Sequence, residues 1–111
     1  MSERTGDPVS RVLAALNAHD VDAFVGCYAP YATIEDGADA VFARGHNQLR
    51  SIYGEMFERL PDVRVEALTR TDVGPYVVQE EQVTGRAEAP ERHVAVYTVE
   101  DGLIVRERLL R

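Results

Sequence analysis

Asp36 is the residue whose type and position best suit acid–base chemistry. Residues 32–36 alternate between the two faces of a predicted strand, and this alternation places Asp36 on the same face as Ile34. A carboxylate that shares a face with a buried aliphatic side chain loses water and becomes a better proton acceptor. Because Gly37 follows, Asp36 has an alternative role as the cap of a turn. The spacing therefore predicts either a general base or a turn residue.

Two tyrosines are predicted to lie inside the protein. Tyr28 and Tyr53 fall on the apolar stripes of predicted helices, together with Phe24 and Phe57. A buried phenol needs a hydrogen-bond partner, and its O–H is well suited to stabilise an oxyanion. The alternative is that both tyrosines are ordinary core residues. The pattern makes Tyr53 a candidate catalytic donor and makes Tyr28, Phe24 and Phe57 candidate substrate-binding residues.

Polar residues also occupy the middle of two predicted strands. His93 and Tyr97 share one strand face, and the opposite face carries valines. In residues 79–82 all four side chains are polar, so two of them turn inward whichever register the sheet adopts. The alternative is an edge strand that is wet on both faces. We expect a polar pocket wall with Gln79, Glu81 and Tyr97 as binding residues and His93 as a catalytic hydrogen-bond donor.

Other classes of site lack support in the sequence. His19, His46, His93 and Cys27 show no metal-ligand spacing, so no metal site is predicted. Glycine-rich nucleotide-binding motifs and nucleophile motifs are absent from the sequence, which favours a site that needs no cofactor. The formal net charge of −7 argues against nucleic acid as a partner, because phosphate binding depends on clustered cations.

Two short helices and one long helix are predicted to position these residues. Asp7 caps the first helix, which ends near His19. Asp20 caps a second helix that continues until Pro30 stops it, so the first two helices form a hairpin. The long helix follows Gly45, carries one apolar stripe and ends at Pro61.

The strands are predicted from alternation and from turn residues. They cover residues 32–36, 41–44, 63–71, 76–84, 93–100 and 103–110. Short connections make the last four an antiparallel meander, and helices that precede a sheet are typical of an α+β protein. The predicted fold is a cone-shaped, curved, antiparallel or mixed sheet wrapped around the long helix, with the helical hairpin at the N-terminus. The concave face of this sheet encloses a pocket.

The length of 111 residues fits one domain over residues 1–111, with residues 1–6 flexible. Cys27 is the single cysteine, so no internal disulfide is possible. The first residues do not have the apolar core of a signal peptide, and no segment is long and apolar enough to span a membrane. We therefore expect a cytoplasmic protein with no membrane partner.

Three segments carry a family resemblance. They read N-A-H-D-V-D-A-F-V-G-C-Y-A-P-Y-A-T-I-E-D from Asn17 to Asp36, G-H-N-Q-L-R-S-I-Y from Gly45 to Tyr53, and V-Y-T-V-E-D-G-L-I-V-R in the closing hairpin. Together they resemble the nuclear transport factor 2-like superfamily, in particular its branch of SnoaL-like polyketide cyclases and ketosteroid isomerases. The resemblance implies the same cone-shaped α+β fold, also called cystatin-like. Because this fold serves many activities, the resemblance constrains fold more than function.

The resemblance also suggests roles for individual residues. Asp36 matches the general base of the isomerases, which moves a proton on a carbon next to a carbonyl, and Tyr28 and Tyr53 match two tyrosines of their hydrogen-bond network. Val12 and Ala95 stand where the isomerases carry the tyrosine and the carboxylic acid that donate to the substrate oxygen. Steroid isomerisation by the family mechanism is therefore not expected, since losing one such donor costs about 3 kcal/mol.

The sequence thus predicts a cofactor-independent pocket protein for a small, apolar, carbonyl-type ligand. One interpretation is an isomerase or cyclase with Asp36 as the general base, and the alternative is a non-catalytic ligand-binding or dimerisation module. In both cases we expect a homodimer through the outer face of the sheet. That face is predicted to expose an apolar patch made of Val78, Val94, Val96 and Ile104.

Overall fold

The computed structural model describes residues 6–37 and 40–111. The helices are α1 Pro8–Asn17, α2 Val21–Val25 and α3 Gly45–Arg59, and the strands are β1 Tyr28–Asp36, β2 Ala40–Arg44, β3 Arg64–Val73, β4 Tyr76–Thr84, β5 Glu91–Glu100 and β6 Leu103–Leu110. Of the segment predicted to be flexible, residues 1–5 lie outside the described residues, and Gly6 is exposed.

Both N-terminal helices begin at the predicted caps. The Asp7 carboxylate accepts hydrogen bonds from the backbone N–H groups of Val9 and Ser10, each at 3.0 Å, and Asp20 accepts one from Ala23 at 3.1 Å. These bonds satisfy N–H groups that the first turn of a helix leaves without partners. The sequence prediction of the helix starts is therefore confirmed.

The end of α2 differs from the prediction. The helix stops at Val25, with Gly26 as its C-cap, and Tyr28 already belongs to β1, where it pairs in parallel with Ile104. The backbone carbonyl of Cys27 accepts a hydrogen bond from the Ile104 N–H at 2.9 Å. Pairing with β6 therefore overrides the helical spacing that continues to Tyr28 in the sequence.

The six strands form one mixed, curved sheet in the order β2-β1-β6-β5-β4-β3. Strands β3 to β6 form the predicted antiparallel meander, while β1 runs parallel to β6 and pairs antiparallel with β2. The sheet does not close into a barrel, because β2 and β3 remain its edges. The predicted α+β class and the curved mixed sheet are confirmed.

A β-bulge in β6 changes which residues face the helices. Thr98 pairs with Arg106 and the next residue, Val99, pairs with Ile104, so Val105 is an extra residue on the β6 side. Ile104 is consequently fully buried, and its predicted position on the outer face is wrong. The reason is that the extra residue reverses the alternation on which the prediction depended.

The long helix α3 lies on the concave face of the sheet. Leu49, Tyr53 and Phe57 form its buried stripe, and the helix packs chiefly against β1 and β2. Helices α1 and α2 cover the rest of this face, and together they leave a cavity between the helices and the sheet. Within the described residues, no helix has both the length and the apolar character needed to cross a membrane.

Candidate active site

The cavity between the helices and the sheet has a volume of about 150 Å³. Its apolar walls come from the three helices, from strands β2, β3, β4 and β6 and from the residue before β3, namely Val12, Leu13, Leu16, Phe24, Phe42, Met56, Val63, Val65, Val83 and Leu109. Its polar residues are Tyr28, Asp36, Tyr53, Glu81, Arg86, His93, Tyr97, Glu107 and Arg111. A mostly apolar cavity with a few convergent polar groups is typical of a small-molecule site.

Glu107 is a buried carboxyl group at this site. It faces the cavity from β6, is 6% exposed, and accepts a hydrogen bond from the Tyr28 hydroxyl at 2.5 Å. Burial raises the pKa of Glu107 from 4.5 to about 8, since desolvation outweighs the opposing effect of the Tyr28 bond and the neighbouring Glu81 adds to the rise. Glu107 is therefore mostly protonated at neutral pH.

Glu81 is the centre of a cluster of buried polar side chains. Its Oε1 lies 2.9 Å from His93 Nε2, and its Oε2 accepts hydrogen bonds from Gln79 Nε2 at 2.7 Å and from the Tyr97 hydroxyl at 2.6 Å. All four side chains are buried. Because Gln79 and Tyr97 both donate to it, we assign Glu81 as the acceptor in this cluster.

The three buried phenols all retain their protons. Burial is the main reason that the pKa values of Tyr28, Tyr53 and Tyr97 lie well above 10, and the charge of Glu107 is the next cause for each of them. Phe24 packs against the Tyr53 ring with a centroid distance of 4.4 Å. The phenols are therefore O–H donors that apolar contacts hold in place.

Asp36 lies at the open side of the cavity and is less buried than the sequence predicts. It pairs with Leu109 in the register of β1 with β6 and shares the cavity side with Ile34, as predicted. Its side chain, however, is 41% exposed, and Arg111 donates to its two carboxylate oxygens at 3.3 and 3.2 Å. The expected loss of water is incomplete because Asp36 ends its strand, where solvent and Arg111 reach it.

Seven of the nine predicted site residues line the cavity. They are Phe24, Tyr28, Asp36, Tyr53, Glu81, His93 and Tyr97. Phe57 does not line it, because its ring stacks on His19 at a centroid distance of 4.9 Å. Gln79 is buried but is not among the lining residues, and it instead supports Glu81 from within the sheet. The alternative of a wet edge strand for residues 79–82 does not apply, because β4 lies between β3 and β5.

Glu107 is the residue that the sequence prediction missed. Arg106 and Arg108 both form ion pairs with Glu35 on the outer face. Strand alternation then places the residue between them on the inner face. The signal was therefore present in the alternation of Arg106, Glu107 and Arg108.

The arrangement of possible metal ligands is the next feature of the site. Within residues 6–37 and 40–111, no three side chains of His, Cys, Asp or Glu gather in an arrangement that could hold a metal ion. The polar cluster at the cavity instead combines carboxyl, phenol and imidazole groups in hydrogen bonds with one another. Such an arrangement is equipped for proton transfer and hydrogen bonding.

The family follows from the sequence comparison. The profile of the SnoaL-like domain matches residues 9–107, which is most of the chain. The chain belongs to the SnoaL-like family. This confirms the resemblance seen in the sequence. Among curated proteins, none matches this SnoaL-like chain significantly.

Solved structures with the same fold support this assignment. An uncharacterised cystatin-fold protein from Novosphingobium aromaticivorans superposes with a TM-score of 0.85 at 29% identity, covering 94% of this chain and 95% of the other. A candidate polyketide cyclase from Sinorhizobium meliloti gives 0.81 at 24% identity, covering 92% of each chain. A protein of ketosteroid isomerase-like fold from Catenulispora acidiphila, solved with trimethylamine, gives 0.77 at 16% identity, covering 94% and 84%. At the two lower identities the likeness concerns the SnoaL-like fold alone.

Proposed function

We propose that this SnoaL-like protein is a cofactor-independent isomerase or cyclase that moves a proton on a carbon next to the carbonyl of a small, largely apolar compound. The observation that carries the proposal is Glu107, a buried acid that is mostly protonated at neutral pH and lies in an apolar cavity with Asp36 at its open side. A neutral carboxyl group can donate a hydrogen bond to a carbonyl oxygen, which a carboxylate cannot do.

In this proposal Asp36 is the general base. Its carboxylate takes the proton from the carbon, and the electron pair moves to the carbonyl oxygen to form an enolate. Arg111 forms an ion pair with the Asp36 carboxylate, and this pair must separate when Asp36 accepts the proton. For an isomerase the same proton then returns to a different carbon.

Glu107 and the buried phenols stabilise the enolate. Val12 and Ala95 provide no donor, but Glu107 enters the same cavity from β6 with Tyr28 hydrogen-bonded to it. Tyr53 adds a further O–H at the wall of the cavity. Preorganised donors in a site that excludes water are worth more than in solution, about 3 kcal/mol for each one removed.

The volume of the cavity sets the size of the probe. About 150 Å³ accommodates a compound of roughly the size of benzene. Cyclohexanone dissolved in D₂O is a suitable probe, since exchange of its protons next to the carbonyl reports the proposed step directly by NMR. We expect the wild-type protein to accelerate this exchange above the rate in buffer.

Asp36→Asn is expected to reduce the exchange rate by about 100-fold or more, the usual contribution of a general base. Asp101→Asn is the matched control, because Asp101 is exposed in the turn between β5 and β6 and is not one of the residues that line the cavity. Exchange at the buffer rate in the wild type, or equal rates in the wild type and Asp36→Asn, would contradict the proposal.

A non-catalytic binding module is the second candidate. The observation in its favour is the pairing of both Asp36 carboxylate oxygens with Arg111, which leaves the carboxylate engaged. For this candidate, NMR shift changes of cavity residues would show cyclohexanone binding while its protons exchange no faster than in buffer.

We also propose a homodimer through the outer face of the sheet. Tyr76 and Val94 are exposed there by 48% and 37%, and Val78 pairs with Val96 between them to continue an apolar stripe. Monomers rarely leave such stripes exposed. Sedimentation at micromolar concentration should show a dimer, and Val94→Lys should shift it towards monomer. A monomeric wild type would refute this assembly.

The cytoplasm is the proposed location. Cys27 is the single cysteine and is a buried free thiol, which is typical of proteins in a reducing compartment. Fractionation of the native cells should recover the protein with cytoplasmic markers, and recovery with an extracytoplasmic fraction would contradict this location.

A further inference from the structure

His93 has one ring nitrogen that no protein group satisfies. Its Nε2 contacts Glu81, whereas its Nδ1 is buried and has no hydrogen-bond partner among the described residues. The side chain is 7% exposed and lines the cavity. Buried polar atoms nearly always have a partner, so a lone one beside a ligand cavity is a candidate contact for the ligand.

The neighbours of Glu81 decide what kind of contact Nδ1 makes. Gln79 and Tyr97 both donate to Glu81, so the carboxylate is the acceptor in this cluster and His93 Nε2 carries its hydrogen. In a neutral imidazole with hydrogen on Nε2, the other nitrogen keeps a lone pair. We therefore assign His93 Nδ1 as a buried hydrogen-bond acceptor on a residue that lines the cavity.

We propose that His93 is a specificity-determining residue that accepts a hydrogen bond from a hydroxyl group of the ligand. A ligand without this hydroxyl would leave Nδ1 buried and unsatisfied, which disfavours its binding. A hydroxyl fits better here than an ammonium group, because burying a charge in this mostly apolar cavity costs more than burying a neutral donor.

The polar residues that line the cavity then differ in hydrogen-bond character. His93 offers an acceptor, whereas protonated Glu107 and the Tyr53 phenol offer donors. This step rests on the proposed function, which requires a carbonyl group in the substrate. The hydroxyl and the carbonyl together define the substrate class as small hydroxy carbonyl compounds. Its hydroxyl would bind at His93 and its carbonyl oxygen at the donors.

The tautomer of His93 can be tested in the wild-type protein without any ligand. Nitrogen-15 NMR of the imidazole should show the hydrogen on Nε2 and an unprotonated Nδ1. This measurement depends on neither a substitution nor catalysis. Hydrogen on Nδ1 would overturn the proposal, because His93 would then present a donor to the cavity.

The ligand contact is tested with phenol and toluene, which have nearly the same shape and differ in one hydroxyl group. We expect His93→Phe to lower the ratio of phenol affinity to toluene affinity by about 10-fold, because the buried hydroxyl loses its acceptor. Comparing this ratio between the variant and the wild type cancels the difference in hydration between the two probes. Asp101→Asn, in the exposed turn between β5 and β6 and outside the cavity lining, is the control and should leave the ratio unchanged.

The outcomes separate this inference from the proposed function. An unchanged ratio in a folded His93→Phe protein would overturn the inference, even if the exchange of cyclohexanone protons required Asp36. A failure of the exchange assay with a 10-fold change in the ratio would overturn catalysis and leave the hydroxyl contact standing. If His93→Phe does not fold, the nitrogen-15 measurement decides the matter.

Discussion

Replacing Glu107 by glutamine should remove most of the pH dependence of stability above about pH 5. The wild-type carboxyl is buried against Tyr28, which donates to it at 2.5 Å. Glutamine has nearly the same shape and keeps an oxygen that can accept this bond, but it cannot ionise. The variant therefore isolates the cost of charging one group inside the cavity.

The magnitude follows from the pKa of Glu107, which burial raises from 4.5 to about 8. The fold prefers the protonated form, so this contribution to stability is complete below pH 4.5, declines between 4.5 and 8, and is lost above pH 8. Each pH unit within this interval removes about 1.4 kcal/mol, and the whole interval removes about 5 kcal/mol. This is a large share of the 5–15 kcal/mol that is typical of a domain.

Urea unfolding between about pH 5 and about pH 9 provides the assay. The free energy of unfolding of the wild type should fall by several kcal/mol over this range, whereas that of Glu107→Gln should change little and exceed the wild-type value at the alkaline end. Glu66→Gln is the control, because Glu66 is exposed on β3 and should keep the wild-type slope. Parallel pH profiles for the wild type and Glu107→Gln would refute the reasoning.

Two further changes test the packing around the site. Tyr28→Phe should destabilise the protein by about 1 to 2 kcal/mol. It should also raise the pKa of Glu107 further, since the hydrogen bond from Tyr28 lowers this pKa. A carbon-13 NMR titration in which the pKa of Glu107 falls would contradict this. Gly85→Ala should cost about 2 kcal/mol or more in thermal unfolding, because φ is +83° and a Cβ would lie 2.1 Å from the Asp62 carbonyl oxygen. Gly102→Ala, with φ of +76° and no atom within 4 Å, should cost only about 1 kcal/mol, and equal losses would contradict the predicted overlap.

The features that depend on short-range patterns were predictable from the sequence. Strands β4 and β6 have the bounds that their alternation and flanking turns predict, and the caps at Asp7 and Asp20 start helices where expected. The inward position of Glu81 also follows from alternation alone. In each case the deciding neighbours lie within a few residues.

The features that depend on contacts between distant residues were not predictable. Tyr28 leaves the helix because Ile104 pairs with it, and Asp36 is less buried because Arg111 reaches it. A periodic pattern contains no information about either partner. The importance of Glu107 depends in the same way on the depth of its burial and on the neighbouring Glu81, which only the packed structure provides.

The extra residue at Val105 decides whether an acidic or a basic side chain points into the protein. If β6 continued without a bulge from the pairing of Ile104 with Val99, Arg106 would lie opposite Tyr97 and would point towards the helices. With the bulge, Glu107 occupies that place and the arginines face outward. Loss of the bulge without loss of a residue would shift this strand by one position and exchange an acidic interior for a basic one, so that relatives of nearly identical composition could select ligands of opposite charge.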